Sequence, residues 1–398
     1  MINRTLKLNS ETEGSELNKR IYKRKIGELG GVNDGPVLIF VGGMHGNEPS
    51  GVRALEEIFE QNKDYNDHFH GKAYALSANL EALRKSQRYI KSDLNRMWHE
   101  SQIEKIDNGD YDNNIKHPDV IQQVELYSEI KTILKKEKGP FIFFDLHTTS
   151  APSVPFILIN DTLNNRKLAE KYPLRVILGI EEYLDGPMLS YINDQGYASL
   201  GFEAGQHDDP SSFEIHKSFI IQSFLLTGFM KDKDRYQEMI RSRRKLPYAH
   251  SFFEIRHRYN IKENEEFKML EGYVNFSKIE ENQLLAKNEL GDINSLESGY
   301  LFMPLYQKKG GEGFYIIKLI PTFWLRFSYF LRRINFDYLL LALPGINRYN
   351  KEYKTLVVDI RIARYLSRQI LHLLGYRRVK RSGFKLLFIK RESINPKY

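Results

Sequence analysis

The chain has no cysteine. Disulfides, thiolate metal ligands and cysteine nucleophiles are thereby excluded, and any metal must be held by histidines and carboxylates. No run of about 18 uncharged apolar residues occurs, so no membrane-spanning helix is predicted. The longest candidate, residues 336–344, is short and carries Asp337. The opening residues, MINRTLKLNSETEGSELNKR, contain no apolar core. No secretory signal is read there, and a cytoplasmic location is expected. Acidic residues are scarce in one region only. Residues 321–398 hold 17 Lys+Arg against 4 Asp+Glu, a net of +13, whereas the other 320 residues hold 42 against 47. The overall net charge of +8 is thus a property of the tail, and no nucleic-acid partner is expected for the body.

What is present suffices for a large core. Hydrophobic residues make up 41% of 398 and aromatics 13%, enough for two domains and a further short piece. Residues 36–43, PVLIFVGG, read as a buried strand running into a Gly turn. Residues 72–77, 141–145, 154–159 and 197–203 read as further strands, and residues 49–59, 118–135 and 212–226 as helices. This alternation predicts an α/β layered fold, with ligands gathered at the carboxyl ends of strands. Near residues 241–247 the character changes. Short apolar runs at 273–276, 283–286, 300–306 and 314–319, some divided by Gly turns such as Gly310-Gly311, predict a small all-β domain. The boundaries that follow are 1–245, 246–320 and 321–398. In the last segment, residues 323–343 and 360–374 read as basic, aromatic-rich helices.

Three segments carry chemistry. Gly42-Gly43-Met44-His45-Gly46-Asn47-Glu48-Pro49 lies where a strand ends and a helix begins. A His and a Glu three residues apart in a tight turn can face one cation, and both donor types suit zinc. Asp145-Leu146-His147-Thr148-Thr149-Ser150 places a second His at the end of another apolar strand. Two His and one Glu, with a fourth position left to water, is a catalytic zinc pattern. Arg88-Tyr89-Ile90-Lys91-Ser92-Asp93-Leu94-Asn95-Arg96 offers two arginines, which can grip a carboxylate or polarise a carbonyl.

Together, GGMHGNEPSG, NLEALRKSQRYIKSDLNRMW and DLHTTS, in that order, resemble the succinylglutamate desuccinylase and aspartoacylase family of the zinc carboxypeptidase superfamily. The resemblance covers roughly residues 36–230, and the β region to about residue 320 looks like the family's second domain. It implies a zinc-carboxypeptidase-like mixed sheet flanked by helices. It also implies His45, Glu48 and His147 as ligands to one zinc ion, Asp93 orienting a ligand His, Arg88 polarising the scissile carbonyl, and Asn95 with Arg96 binding a substrate carboxylate. The general base that the family requires is assigned to Glu203, in Gly201-Phe202-Glu203-Ala204-Gly205-Gln206-His207, rather than to the adjacent Glu181 and Glu182. The activity implied is zinc-dependent hydrolysis of the amide bond of an N-acyl amino acid-like substrate. A carboxypeptidase gripping a peptide C-terminus and a non-catalytic zinc-binding homologue remain the alternatives. Tyr306 or the loop at 310–313 is expected to reach the pocket from the β region. The tail, which matches nothing in the family, is read either as a helical addition packed on the body with Arg on its solvent face, or as a peripheral contact with an anionic membrane surface.

Overall fold

The computed structural model describes residues 20–31, 33–110, 117–234, 237–238, 250–307, 311–349, 355–363, 368–390 and 392. The expected boundary at 241–247 lies outside them. Strands β1 (Lys25–Gly30), β2 (Asn33–Gly42), β3 (His70–Ser77), β4 (Phe141–Thr149), β5 (Phe156–Ile159), β6 (Arg175–Leu178) and β7 (Ala198–Gln206) alternate with helices. The main helices are α1 (Ser50–Asn62), α2 (Pro118–Lys136), α3 (Leu163–Ala169) and α4 (Ser211–Thr227). The chain continues with β8 (Ser251–Asn260), β9 (Lys268–Met269), β10 (Lys278–Ile279), β11 (Leu284–Asn288), β12 (Gly291–Asn294), β13 (Gly299–Phe302) and β14 (Glu312–Ile320). Eleven strands form one mixed sheet in the order β1-β3-β2-β4-β7-β5-β6-β8-β14-β13-β10. Its centre is parallel, β2 to β4 and β4 to β7.

The central strands read as near-continuous apolar runs because both faces are covered. Period-2 alternation divides their side chains between two cores. Phe40, Phe144, Leu146 and Phe202 face α1 and α4, where Phe40 stacks on Phe144 at 4.6 Å and Phe202 on Phe219 at 3.8 Å. Ile39, Val41, Phe141 and Phe143 face Leu126, Ile130 and Ile133 of α2. Each fully buried Phe contributes roughly 1.5–3 kcal/mol, and together these pairs fix the strand ends that carry the site.

The described residues of the segment 246–320 are all-β, as expected, and four of their strands continue the main sheet. β8 pairs parallel to β6 and antiparallel to β14, and β13 and β10 follow. The remaining strands, β9, β11 and β12, form a separate three-stranded sheet. Residues 273–276, expected as a strand, are a turn in which Phe276 has φ 67°.

The tail corrects the helical expectation. Among its described residues only α5 (Thr322–Arg333) and α6 (Arg368–Leu373) are α-helical, and residues 364–367 of the second expected helix lie outside them. The other elements, β15 (Ile346–Arg348), β16 (Thr355–Asp359), β17 (Tyr376–Ser382) and β18 (Lys385–Lys390), form an antiparallel sheet in the order β15-β16-β18-β17. The physical reason is local: TLVVD and KLLFIK are β-branched or alternating apolar runs that pair with one another. Arg326, Arg333 and Arg361 do face solvent, as expected of the tail's arginines, but two others do not. Arg332 and Arg377 are buried, and both bind Asp161 of the body.

Candidate active site

The site is built at the carboxyl ends of β2, β4 and β7. After β2 the chain bends through Gly42-Gly43 and runs close under the segment that follows β3. At Gly46 a Cβ would lie 2.0 Å from the Ala82 carbonyl carbon, so only glycine fits that approach. The Gly46 N–H donates to the Arg88 carbonyl at 3.2 Å, and the Glu48 N–H closes a turn onto the His45 carbonyl. These two bonds bring the His45 loop and the Arg88 segment into contact, then deliver the chain into α1.

His45, Glu48 and His147 converge as expected. A ligand atom from each lies within 4.8 Å of the others, and all three are buried. His45 Nδ1 is 2.8 Å from Glu48 Oε1, and His147 Nδ1 is 3.0 Å from Glu48 Oε2. The opposite nitrogen of each ring faces a different carboxylate. His45 Nε2 is 3.1 Å from Asp93 Oδ1, and His147 Nε2 is 2.9 Å from Asp145 Oδ2. Both Nδ1 atoms are thereby turned inward, as metal-binding imidazoles held by carboxylates are. Two imidazole nitrogens and one carboxylate, with the cavity open beside them, form a donor set that fits zinc. The described residues contain no second group of this kind.

The charges in this cluster are strongly coupled. Burial would raise the Glu48 pKa, but His45 and His147 hold it well below the usual carboxylate range. Burial would lower that of His147, but Asp145 and Glu48 drive it well above the ordinary imidazole value. For Asp93 the cost of burial is overcome by His45, Arg88 and Arg96, which hold it low. Arg88 Nη2 donates to Asp93 Oδ2 at 3.1 Å, and Nη1 lies 3.8 Å from Glu48.

Glu203 sits across the β4–β7 ladder from His147, with which it is in register. It is buried, and its Oε2 has no hydrogen-bond partner. Burial pushes its carboxyl up to about 8, opposed by His147 and reinforced by the nearby Glu48 and Asp145. Glu181 and Glu182 stand away from this cluster. Glu181 accepts from the Asp161 N–H, and Glu182 is 2.7 Å from His372 of the tail.

His45, Glu48, Arg88, Asn95, Arg96, His147 and Glu203 line one cavity of about 160 Å³. Its far wall is apolar, made of Leu158, Ile159, Ile180, Leu184 and Leu189. Asn95 Oδ1 accepts from the Met188 N–H at 3.0 Å, and Arg96 donates to the Asn95 carbonyl at 3.0 Å. Arg96 also faces Glu312 at 3.6 Å.

The β region reaches the cavity through Met303, Leu305, Gln307, Glu312 and Tyr315. Tyr306 does not. It is half-exposed and donates to the Leu270 and Tyr273 carbonyls. Of the expected loop at 310–313, residue 310 lies outside the described residues, but Glu312 does line the cavity.

Sequence reasoning left three residues unassigned. Asp145 carried a readable signal, since an Asp two residues before a His on one strand shares its face. Glu312 carried none, because its partner Arg96 belongs to a distant segment. His207, which accepts from or donates to Thr148 Oγ1 at 2.8 Å and lines the cavity, stood in the Glu203 segment without a role.

Residues 34–177 match the family model of the succinylglutamate desuccinylase/aspartoacylase catalytic domain. No curated protein matches the chain in sequence. Among solved structures, a succinylglutamate desuccinylase/aspartoacylase from Rhodobacter sphaeroides is similar over 73% of this chain and 87% of its own, with a TM-score of 0.53 at 15% identity. The product-bound ectoine utilization protein EutE (DoeB) from Ruegeria pomeroyi is similar over 72% and 85%, also at 0.53 and 15%. An aspartoacylase family protein from Mesorhizobium loti is similar over 74% and 88%, at 0.52 and 14%. At these identities the likeness is one of fold, and it reaches well past the segment that the family model matches. Residues 34–177 thus resemble the catalytic domain of the succinylglutamate desuccinylase/aspartoacylase family in sequence, and the chain around them shares the fold of these solved structures.

Proposed function

We propose that this chain is a zinc-dependent amidohydrolase that cleaves the amide bond of a small N-acyl amino acid-like substrate. The observation that carries the reading is the convergence of His45, Glu48 and His147 in a buried cavity with Glu203 beside them. One zinc ion is to be held by His45, Glu48 and His147. Bound there, zinc would supply Lewis-acid polarisation of the acyl carbonyl and a lowered pKa for water. Asp93 and Asp145 fix the two imidazole rings through their outer nitrogens.

Glu203 is the general base. Its Oε2 has no competing partner, so it can take a proton from the attacking water and return it to the leaving amine. A cation held by His45, Glu48 and His147 would lower the Glu203 carboxyl toward ionisation near neutral pH, where a base must work. Arg88, held by Asp93, donates toward the carbonyl oxygen. Arg96 and Asn95 hold the substrate carboxylate, and Glu312 opposite Arg96 sets how much positive charge that end presents. The apolar wall at Leu158, Ile180 and Leu184 takes the apolar part of the substrate. A cytoplasmic setting is part of this proposal.

The test is release of free amine from succinyl, acetyl and longer acyl derivatives of acidic and neutral amino acids. The Glu203→Gln variant is to lose roughly 10²–10⁴ in turnover while keeping its metal. Full activity in Glu203→Gln would show that another group is the base. Release of C-terminal residues from peptides without deacylation would favour a carboxypeptidase. Bound metal without turnover would favour a non-catalytic homologue.

A further inference from the structure

Helix α5 is inverted relative to a normal surface helix. Its inward face is Ser328, Leu331 and Arg332, all buried. Ser328 Oγ donates to the Leu373 carbonyl at 2.6 Å, and Arg332 reaches Asp161. Its outward face is an aromatic stripe of Phe323, Phe327, Phe330 and Ile334, with Trp324 at its edge. Phe323 is 66% exposed, Phe330 57% and Trp324 44%. Phe323 and Phe327 are stacked at 6.0 Å, and Trp324 packs edge-on to both. The turn that follows extends the apolar surface through Phe336, Tyr338 and Leu339, all exposed. Contiguous exposed apolar surface of this kind marks an interaction site.

The charge on this face identifies the occupant. Arg326, Arg333 and Arg348 are exposed. The one acidic residue between 321 and 349, Asp337, is engaged by the Tyr376 hydroxyl at 2.8 Å and by Lys390 at 2.9 Å. Aromatic rings and arginines with no exposed acid between residues 321 and 349 suit an anionic lipid interface, where the rings enter the headgroup boundary and the guanidiniums meet phosphates. A second copy of the chain fits less well. A twofold contact through this face would set Arg326 and Arg333 against their own images with no carboxylate to pair them. No helix among the described residues is long and apolar enough to cross a membrane. We propose that α5 and the turn after it form a peripheral docking face for anionic phospholipid bilayers. This assignment is independent of the hydrolase reading.

The full chain offers its own probe. It has two tryptophans, of which Trp98 is buried and Trp324 exposed. Adding phosphatidylglycerol vesicles at low salt should shift the emission to the blue and sediment the protein. Phosphatidylcholine vesicles should do much less, and Trp324→Phe should remove the shift. Neutralising Arg326 and Arg333 to Gln should weaken vesicle binding by about 5-fold each. Phe323→Ser with Phe330→Ser should weaken it by roughly a hundredfold. All four positions are exposed, so the thermal midpoint should be unchanged. If the serine pair fails to fold, the arginine pair and the salt dependence of the wild type still decide. The proposal is overturned by absence of wild-type binding to phosphatidylglycerol at low salt, or by binding that neither pair weakens. It is also overturned by a concentration-dependent dimer, lost in the serine pair, without vesicle binding.

Discussion

Replacing Asp161 by Asn tests how the tail is held to the body. Asp161 is fully buried, and three guanidiniums meet on it. Arg166 of α3 donates from Nε at 2.6 Å and Nη2 at 3.0 Å, Arg332 of α5 from Nη2 at 2.9 Å, and Arg377 of β17 from Nη2. Arg377 also faces Glu182 at 3.4 Å and Arg332 faces Glu392 at 3.0 Å, so those two keep a carboxylate when Asp161 loses its charge. Arg166 does not. Its other bond is to the Ser328 hydroxyl. Asn is isosteric, so the loss is one of charge rather than of volume. Stranding a buried charge costs about 3–5 kcal/mol, which is a large share of the roughly 5–15 kcal/mol that holds a domain folded. The sign of the pH dependence follows from the carboxyl itself. Burial would raise its pKa, but Arg166, Arg332 and Arg377 hold it well below the usual value. A depressed folded-state pKa gives stability that is fully present above the unfolded value of about 4 and lost as pH falls through the folded one. Urea unfolding of both proteins should therefore show a gap of about 4 kcal/mol at neutral pH that narrows in acid below about pH 4. A neutral-pH gap under about 1 kcal/mol, the worth of a surface pair, would refute the reasoning.

Three other changes bear on the site. Asp145→Asn removes the charge behind His147 Nε2, and zinc affinity measured by chelator competition should fall roughly 10–100-fold; unchanged affinity would remove Asp145 from the metal centre. Arg96→Ala should raise KM for a carboxylate-bearing substrate by roughly 10–100-fold, the worth of a hydrogen bond to a charged group. Glu312→Gln should act in the opposite direction, because it unmasks Arg96. Equal effects of one sign from both variants would mean that the pair is structural.

Much of the site was legible because its residues are tied to strand ends. PVLIFVGG and FIFFDL are central strands whose apolar runs announce themselves; the turn after the first holds His45 and Glu48, and His147 stands in the last residues of the second. α2 and α4 were read to within a residue or two. What stayed hidden depends on pairings across long sequence separations, which leave no local trace. β8 carries Arg256 and Arg258 among its apolar residues, and nothing in SFFEIRHRYN says that it pairs with β6. The tail was read as helices with solvated arginines because Arg326 and Arg333 recur at helical spacing. Arg332 turns inward for Asp161, 171 residues away, and no pattern within the tail can reveal a buried partner in the body. Glu312 escaped for the same reason.

The central claim is that two imidazoles and a carboxylate share one divalent cation. Its most direct test is calorimetric titration of the chelator-stripped protein with zinc, repeated on His45→Ala, Glu48→Gln and His147→Ala variants whose fold is checked by circular dichroism. One tightly bound ion per chain in the wild type, and none of comparable affinity in the variants, is the predicted result. A stripped wild type that takes up no zinc, or a His147→Ala variant that binds it as tightly, would contradict the account.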